Sequence, residues 1–404
     1  MQAIEPVSFN DTSSRITPSI GDAVAMIGWL TVAVALFEER LNPAGLSGFG
    51  ENASPAQRHP ADPFPQQIPK KGFASNHMAN KPIHAMRIHR FGGPEEMVWE
   101  SVEVGHPGPG QARIRHTAAG VNFVDTIVRR GMHGAALPVV LGREGAGVVE
   151  EIGPGVTNIR VGDRVGYAPV QGAFCEERLI DAKVLVKLPD AIDDRTAAAI
   201  MLQGMTVQYL IRQIYPLKPG DTVLMHAAAG GVGLFLCQWA NALGARVIGT
   251  VSTPEKAALA KAHGCHDTIL YTQEDFVARV LDLTGGKKVN VVYDSVGKDT
   301  FAKSLDCLAQ RGHIVSFGRS SGPVPLIDMT VLAARGGLTV TQGALLNFVR
   351  TPEELDAVAQ DLFNAVLSGK AKPVIKREYA MKDAGQALLD LEGRGTTGKL
   401  LLLP

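Results

Sequence analysis

From Asp221 onward, short β-rich runs alternate with helical patterns, and this alternation narrows the possible folds more than any other feature of the chain. Residues 222–226, 246–251, 268–270, 289–294, 313–317 and 338–341 read as six strands. Helix-length segments separate them, so each connection must cross a sheet face instead of turning back as a hairpin. Such crossovers make the strands parallel and lay helices over both faces of the sheet. The helix starts agree: Thr253 stands before Pro254 at a first helical position, and Thr351-Pro352-Glu353-Glu354 opens a later helix. The expectation is an α/β chain containing a six-stranded parallel, doubly wound sheet.

Between the first of these strands and its helix runs HAAAGGVG, residues 226–233. Strand, glycine turn and helix start, in that order, are the context of a dinucleotide fingerprint. A side chain at Gly230 or Gly231 would hold the backbone away from a pyrophosphate, and Gly233 permits close packing of helix on strand. The exposed N–H groups and helix dipole favour a negative group there. Ala228 takes the place of the first glycine. At the end of the second strand, about 20 residues on, an NAD site would carry Asp or Glu for the ribose hydroxyls. This chain has Gly249-Thr250-Val251-Ser252, with Lys256 on the next helix. A cation and a hydroxyl in place of a carboxylate suit the 2′-phosphate of NADP. The alternative for Lys256, a solvated helix lysine, is outweighed by the missing acid.

Ahead of this region the texture differs. Residues 85–88, 111–119, 145–152, 164–168 and 184–188 are β-rich runs punctuated by glycine, as in a strand-rich domain. A helical stretch over 195–215 follows, closed by Pro216 and the turn Lys218-Pro219-Gly220-Asp221. A final β-like run, 399–403, is expected to rejoin that first domain. Residues 42–81 are rich in Pro, Gly, Asn, Ala and Gln and read as a linker or disordered tail, so the folded part is expected from about His84. The expected division is a disordered extension over 1–83, one domain over 84–205 and 344–404, and a dinucleotide-binding domain over 206–343.

With 404 residues, 45% of them apolar, the chain can bury a large core. Lys+Arg and Asp+Glu balance at 40 each, so no electrostatic footprint for nucleic acid or an anionic membrane is present. The apolar stretch 23–37 is too short to span a bilayer, which takes about 20 residues. It also follows Glu5, Asp11 and Asp22 with only Arg15 positive, unlike a secretory signal. Cys175, Cys237, Cys265 and Cys307 are scattered and form no CxxC pair, which fits a reducing cytoplasm. No GxSxG elbow supports hydrolysis.

Several motifs together carry a specific likeness. GVNFVDTIVRRG (120–131), GREGAGVVEEIG (142–153), VGDRV (161–165), HAAAGGVGLFLCQWA (226–240), VVYDSVG (291–297) and VSFGRSSG (315–322) resemble the zeta-crystallin-like quinone oxidoreductases, zinc-free members of the medium-chain dehydrogenase/reductase superfamily. The resemblance runs from about Met86 to the C-terminus. It implies a GroES-like strand-rich domain, an inserted Rossmann domain, NADPH as cofactor and a quinone in the cleft between them. It implies that Asn122, Phe123 and Asp125 lie by the nicotinamide ribose, Thr206 by the nicotinamide amide, and Gly231 with Val232 at the pyrophosphate. Ser252, Lys256 and Tyr271 would surround the 2′-phosphate, and Ser295, Phe317, Gly318 and Ser320 would line the cofactor at the carboxyl ends of later strands. A homodimer through the edge of the Rossmann sheet is also implied. Two places depart from bacterial relatives: Ile127 stands for a tyrosine, and Gln342-Gly343 for an Arg-Pro pair.

Zinc-dependent members of the wider superfamily place a Cys and a His-Glu pair where this chain has Asn122 and Arg143-Glu144, and neither Asn nor Arg replaces such ligands. No general acid stands out, and His226 reads as a core residue closing a buried strand. Quinone reduction tolerates that absence, because the reduced oxygen can take its proton from water. Reduction of an activated alkene such as an enal or enone, and a non-catalytic NADPH-binding role, are the alternatives.

Overall fold

The computed structural model describes residues 81–404. The extension expected over 1–83 and its apolar stretch lie outside the described residues, apart from the last three positions, which belong to the first strand. Among the described residues the strands form three sheets. Strand β1 (Lys81–Ile88) pairs antiparallel along its whole length with β2 (Met97–Val104). Next comes β3 (Gln111–Val121), which ends in four buried residues and leads through Asn122 into helix α1 (Phe123–Arg129). Strands β4 (Val139–Val140), β5 (Gly145–Ile152), β6 (Arg164–Tyr167), β7 (Glu177–Asp181) and β8 (Val186–Lys187) complete the strand-rich part.

Helix α2 (Asp194–Gln208) starts at Asp193, whose carboxylate accepts the Thr196 N–H at 2.9 Å. The single helix expected over 195–215 changes winding at Tyr209, where a π-helical turn runs to Ile214. Ala197 to Met201 are all buried, so α2 is a core helix without a solvated stripe there.

The alternating region forms the expected sheet. Its elements in order are β9 (Thr222–Met225), α3 (Gly231–Ala242), β10 (Arg246–Val251), α4 (Pro254–Ala262), β11 (Asp267–Leu270), α5 (Phe276–Thr284) and β12 (Val289–Asp294). Then follow α6 (Phe301–Ser304), β13 (Leu308–Ser316), α7 (Thr330–Ala334) and β14 (Thr339–Gln342). The spatial order is β11-β10-β9-β12-β13-β14, with every neighbouring pair parallel. The order reverses between β9 and β12, and at such a switch point open α/β sheets hold ligands beyond their carboxyl ends. Strand β13 begins at Leu308, five residues ahead of the expected start. Its pairing with β12 shifts register after Val289, and Arg311 takes a φ of +60°, so its first half lacks the regular strand pattern.

The chain then makes α8 (Pro352–Leu367), β15 (Ile375–Ala380), α9 (Ala384–Glu392) and β16 (Lys399–Leu403). Strand β16 pairs antiparallel with β3, Leu400 facing Val121, and so returns the chain's end to the first part of the sequence. The resulting sheet has the order β15-β16-β3-β5-β6-β8, with β7 also on β3. One apolar core joins this sheet to the parallel one: Ile200 and Met205 of α2, Trp239 of α3, Leu362 of α8 and Leu401 of β16 are fully buried within it. Each such side chain contributes roughly 1.5–3 kcal/mol by burial, so the two sheets are held as one unit around α2.

Candidate cofactor site

After Met225 the backbone turns sharply. His226 donates its N–H to the Tyr293 carbonyl, Ala227 adopts a left-handed φ of +55°, and Ala228 N–H reaches the Thr250 carbonyl. Helix α3 then starts at Gly231 from an extended Gly230, with no side chain capping it. Its leading N–H groups therefore remain open to an anion. A Cβ at Gly231 would stand 2.3 Å from the Gln203 amide, so the end of that side chain packs directly over the glycine and would have to move aside for any larger residue. His226 is a core residue, as its sequence position suggests. Its ring bonds Thr250 Oγ1 at 3.0 Å and Ser304 Oγ at 2.8 Å, and burial lowers its pKa below the ordinary range.

Ser252 follows β10 and Tyr271 follows β11, and these strands end side by side with Val251 opposite Leu270. Thr253 caps α4 through the Lys256 N–H at 3.3 Å. The Lys256 side chain folds back so that Nζ donates to the Arg394 carbonyl at 2.6 Å, and burial lowers its pKa. Tyr271 is 48% exposed. The structure thus brings Ser252, Lys256 and Tyr271 to one edge, and adds the 394 backbone to them.

Ser295 and Phe317 follow β12 and β13, whose ends pair Asp294 with Ser316. The Phe317 N–H donates to the Asp294 carbonyl at 2.9 Å and the Ser320 N–H to the Ser295 carbonyl at 3.2 Å. A Cβ at Gly318 would lie 2.6 Å from Ser295 O. These four residues therefore form one closely packed rim. From it Arg319 Nη2 reaches the Met132 carbonyl at 3.1 Å, linking the rim to the loop after α1.

Asn122 follows β3 and caps the start of α1, beside Phe123. Its N–H donates to Asp125 Oδ2 at 2.8 Å, while Asp125 Oδ1 is buried and has no hydrogen-bond partner. Burial pushes the Asp125 carboxyl up to about 7; Glu144 adds to the rise, and Asn122 N–H, Lys399 and Arg143 oppose it. Thr206 lies in α2 three residues beyond Gln203, hence on the same side of the helix.

An uncapped helix start, a cation with hydroxyls where an acid is missing, and a buried carboxylate oxygen awaiting a donor can together hold an extended, phosphorylated dinucleotide. Sequence reasoning did not find Gln203, Arg394, Gly398 or Lys399. The last two stand together in TTGKLLLLP, a β-like end with no local sign of a site. Gly398 N–H donates to the Ala229 carbonyl at 3.2 Å, which lays the chain's end against the glycine turn. Where zinc-dependent relatives carry ligands this chain has Asn122 and Arg143-Glu144, and Glu144 is bonded to the Lys399 ammonium.

Comparison with known proteins agrees with this architecture. Residues 108–211 match the alcohol dehydrogenase GroES-like domain, and residues 231–363 match the family described as zinc-binding dehydrogenase. The quinone oxidoreductase of Pseudomonas aeruginosa is 50% identical over 317 residues, covering 78% of this chain and 97% of the relative. A 2-haloacrylate reductase from a Burkholderia species is 48% identical over 330 residues, covering 80% and 99%. The crystal structure of Escherichia coli quinone oxidoreductase complexed with NADPH superposes with a TM-score of 0.78 at 44% identity, covering 80% of this chain and all of that one. The chain belongs to the quinone oxidoreductase family of the medium-chain dehydrogenase/reductase superfamily.

Proposed function

We propose that this chain is an NADPH-dependent quinone reductase. The observation that carries the cofactor choice is the end of β10, where the strand runs Gly249-Thr250-Val251-Ser252 without an Asp or Glu for a free ribose and ends beside β11 and ahead of the helix that carries Lys256. NADPH, when bound, supplies the hydride from its nicotinamide C4. The protein's part is to hold and orient. Gly230, Gly231 and Val232 would hold the pyrophosphate on the open start of α3, and Ser252, Lys256 and Tyr271 the 2′-phosphate. Ser295, Phe317, Gly318 and Ser320 would flank the chain between them and the nicotinamide. Asn122, Phe123, Asp125 and Thr206 would meet the nicotinamide half, a ribose hydroxyl giving Asp125 Oδ1 the donor it lacks.

In this reading residues 206–343 form the cofactor domain, 84–205 with 344–404 form the other, and a planar quinone lies between them. No step passes through a metal. A second copy would pair across β14, the edge strand of the parallel sheet, next to the exposed Leu326 and Met329. The four cysteines are free and buried, in keeping with an enzyme of the reducing cytoplasm.

The Burkholderia relative favours a second reading, reduction of an activated alkene, which differs in needing a proton delivered to carbon. NADPH consumption measured against quinones, enones and 2-chloroacrylate separates the two. The quinone reading fails if only alkenes oxidise NADPH. Both fail if NADPH binds tightly and no acceptor stimulates its consumption, which would mark a non-catalytic binder.

A further inference from the structure

Three hydrogen bonds tie the Asn122 side chain to buried partners and leave one acceptor site on its Oδ1. Its Oδ1 accepts from Lys399 Nζ at 2.8 Å, and its Nδ2 donates to Glu144 Oε2 at 2.9 Å and to the Gly120 carbonyl at 3.2 Å. Lys399 Nζ also donates to Glu144 Oε2 at 2.5 Å. Lys399 is 1% exposed, Glu144 0% and Asn122 6%. An ammonium can only donate, so its position decides which end of the Asn122 amide is the oxygen. Asn122 in turn holds Asp125 through its N–H, leaving Asp125 Oδ1 as the free acceptor. The other Glu144 oxygen accepts the Leu202 N–H at 2.7 Å, in the middle of α2 and one turn before Thr206.

A buried ion pair is weak evidence of a stabilising role, because an apolar pair of similar volume often serves as well or better. Orientation is what the charged pair supplies here and an apolar pair cannot. We propose that Lys399 is a positioning residue for the nicotinamide end of the cofactor: from the chain's last strand, its ammonium fixes the side-chain amide of Asn122, the residue whose backbone N–H separately holds Asp125 Oδ2. This rests on the reading of Asn122 and Asp125 as contacts of the nicotinamide ribose. Gly398 next to it touches the glycine turn, so two successive residues hold the phosphate and nicotinamide ends in one frame.

The test is the double variant Lys399→Met/Glu144→Gln, which removes both charges and keeps the volume. Two ligands are titrated by fluorescence: NADPH, and adenosine 2′,5′-bisphosphate, which has the 2′-phosphate half and no nicotinamide ribose. The expected result is NADPH binding weakened about ten-fold while the bisphosphate stays within about two-fold. NADPH affinity unchanged, or equal losses for both ligands, overturns the proposal. Should the double variant not fold, Lys399→Gln is put through the same two titrations with the same outcomes, since its amide can flip and no longer dictates the orientation of Asn122. Asn122→Ala separates the underlying reading. If it leaves NADPH binding intact, the ribose assignment itself is wrong; if it weakens NADPH and the Lys399 variants do not, only the role of Lys399 falls.

Discussion

Lys399 Nζ lies 2.5 Å from Glu144 Oε2, a buried contact between residues 255 positions apart. Strand β3 runs between β16, which Lys399 opens, and β5, which Glu144 immediately precedes, so the pair bridges over β3 at the point where Asn122 leaves it.

Lys399→Met alone leaves the Glu144 carboxylate buried without its cation. Removing one partner of a buried pair costs about 3–5 kcal/mol. Urea denaturation of the single variant should show a loss of that order, and adding Glu144→Gln should restore most of it. A single variant within about 1 kcal/mol of the parent would mean that water reaches the site and the pair is not shut off from solvent.

Lys256→Ala tests the cofactor assignment. A hydrogen bond to a charged group contributes about 1.5–3 kcal/mol, so kcat/KM for NADPH should fall about ten- to a hundred-fold. NADH, without a 2′-phosphate, should change little. Equal effects on both would return Lys256 to the status of a helix lysine held by the Arg394 carbonyl.

His116 should make the fold acid-sensitive. Its ring bonds the Cys175 carbonyl at 2.6 Å and the Tyr167 hydroxyl at 2.7 Å, and burial, with Arg178 nearby, lowers its pKa to about 3. Between about pH 6.5 and pH 3 the unfolded chain binds a proton that the folded chain refuses, so stability rises with pH there. This contribution is fully present above about 6.5 and is lost as the pH falls towards 3, to the extent of about 4–5 kcal/mol. His116→Gln should flatten that part of the stability curve relative to the parent. Parallel curves for the two proteins would show that His116 does not control it.

Gly398 should resist substitution. Its φ of +61° belongs to the left-handed region, and a Cβ would stand 2.2 Å from the Val374 carbonyl. The conformation alone costs about 1–2 kcal/mol for another residue, and the collision adds to it. Gly398→Ala is therefore expected to lower the melting temperature by several degrees, and to weaken NADPH binding by loosening the contact with Ala229. An alanine variant as stable as the parent would contradict the geometry at this turn.

Local signals were sufficient for most of the parallel sheet. Strands 246–251 and 289–294 stand where the sequence puts them, because buried Val and Ile runs bounded by turn residues form strands almost wherever they occur. The glycine turn was readable for the same reason: the lack of a Cβ has consequences within a few residues. The start of β13 was not readable, since a register shift and a left-handed Arg311 erase its alternation. Nor was the π turn after Gln208, which continues an uninterrupted apolar helical pattern.

By itself, then, the sequence determined the parallel sheet, the position of its phosphate-type turn and the missing acid at β10, all properties of neighbouring residues. Only the tertiary structure decided that Gln203 closes on Gly231, that Lys256 meets the 394 backbone, and that Glu144 and Lys399 hold Asn122 between them. Those contacts exist because β16 inserts beside β3 and α2 crosses between the two sheets. Pairings over such separations leave no mark in either segment alone, since a lysine opening a strand and a glutamate before one look like ordinary surface residues until packing removes the water from both.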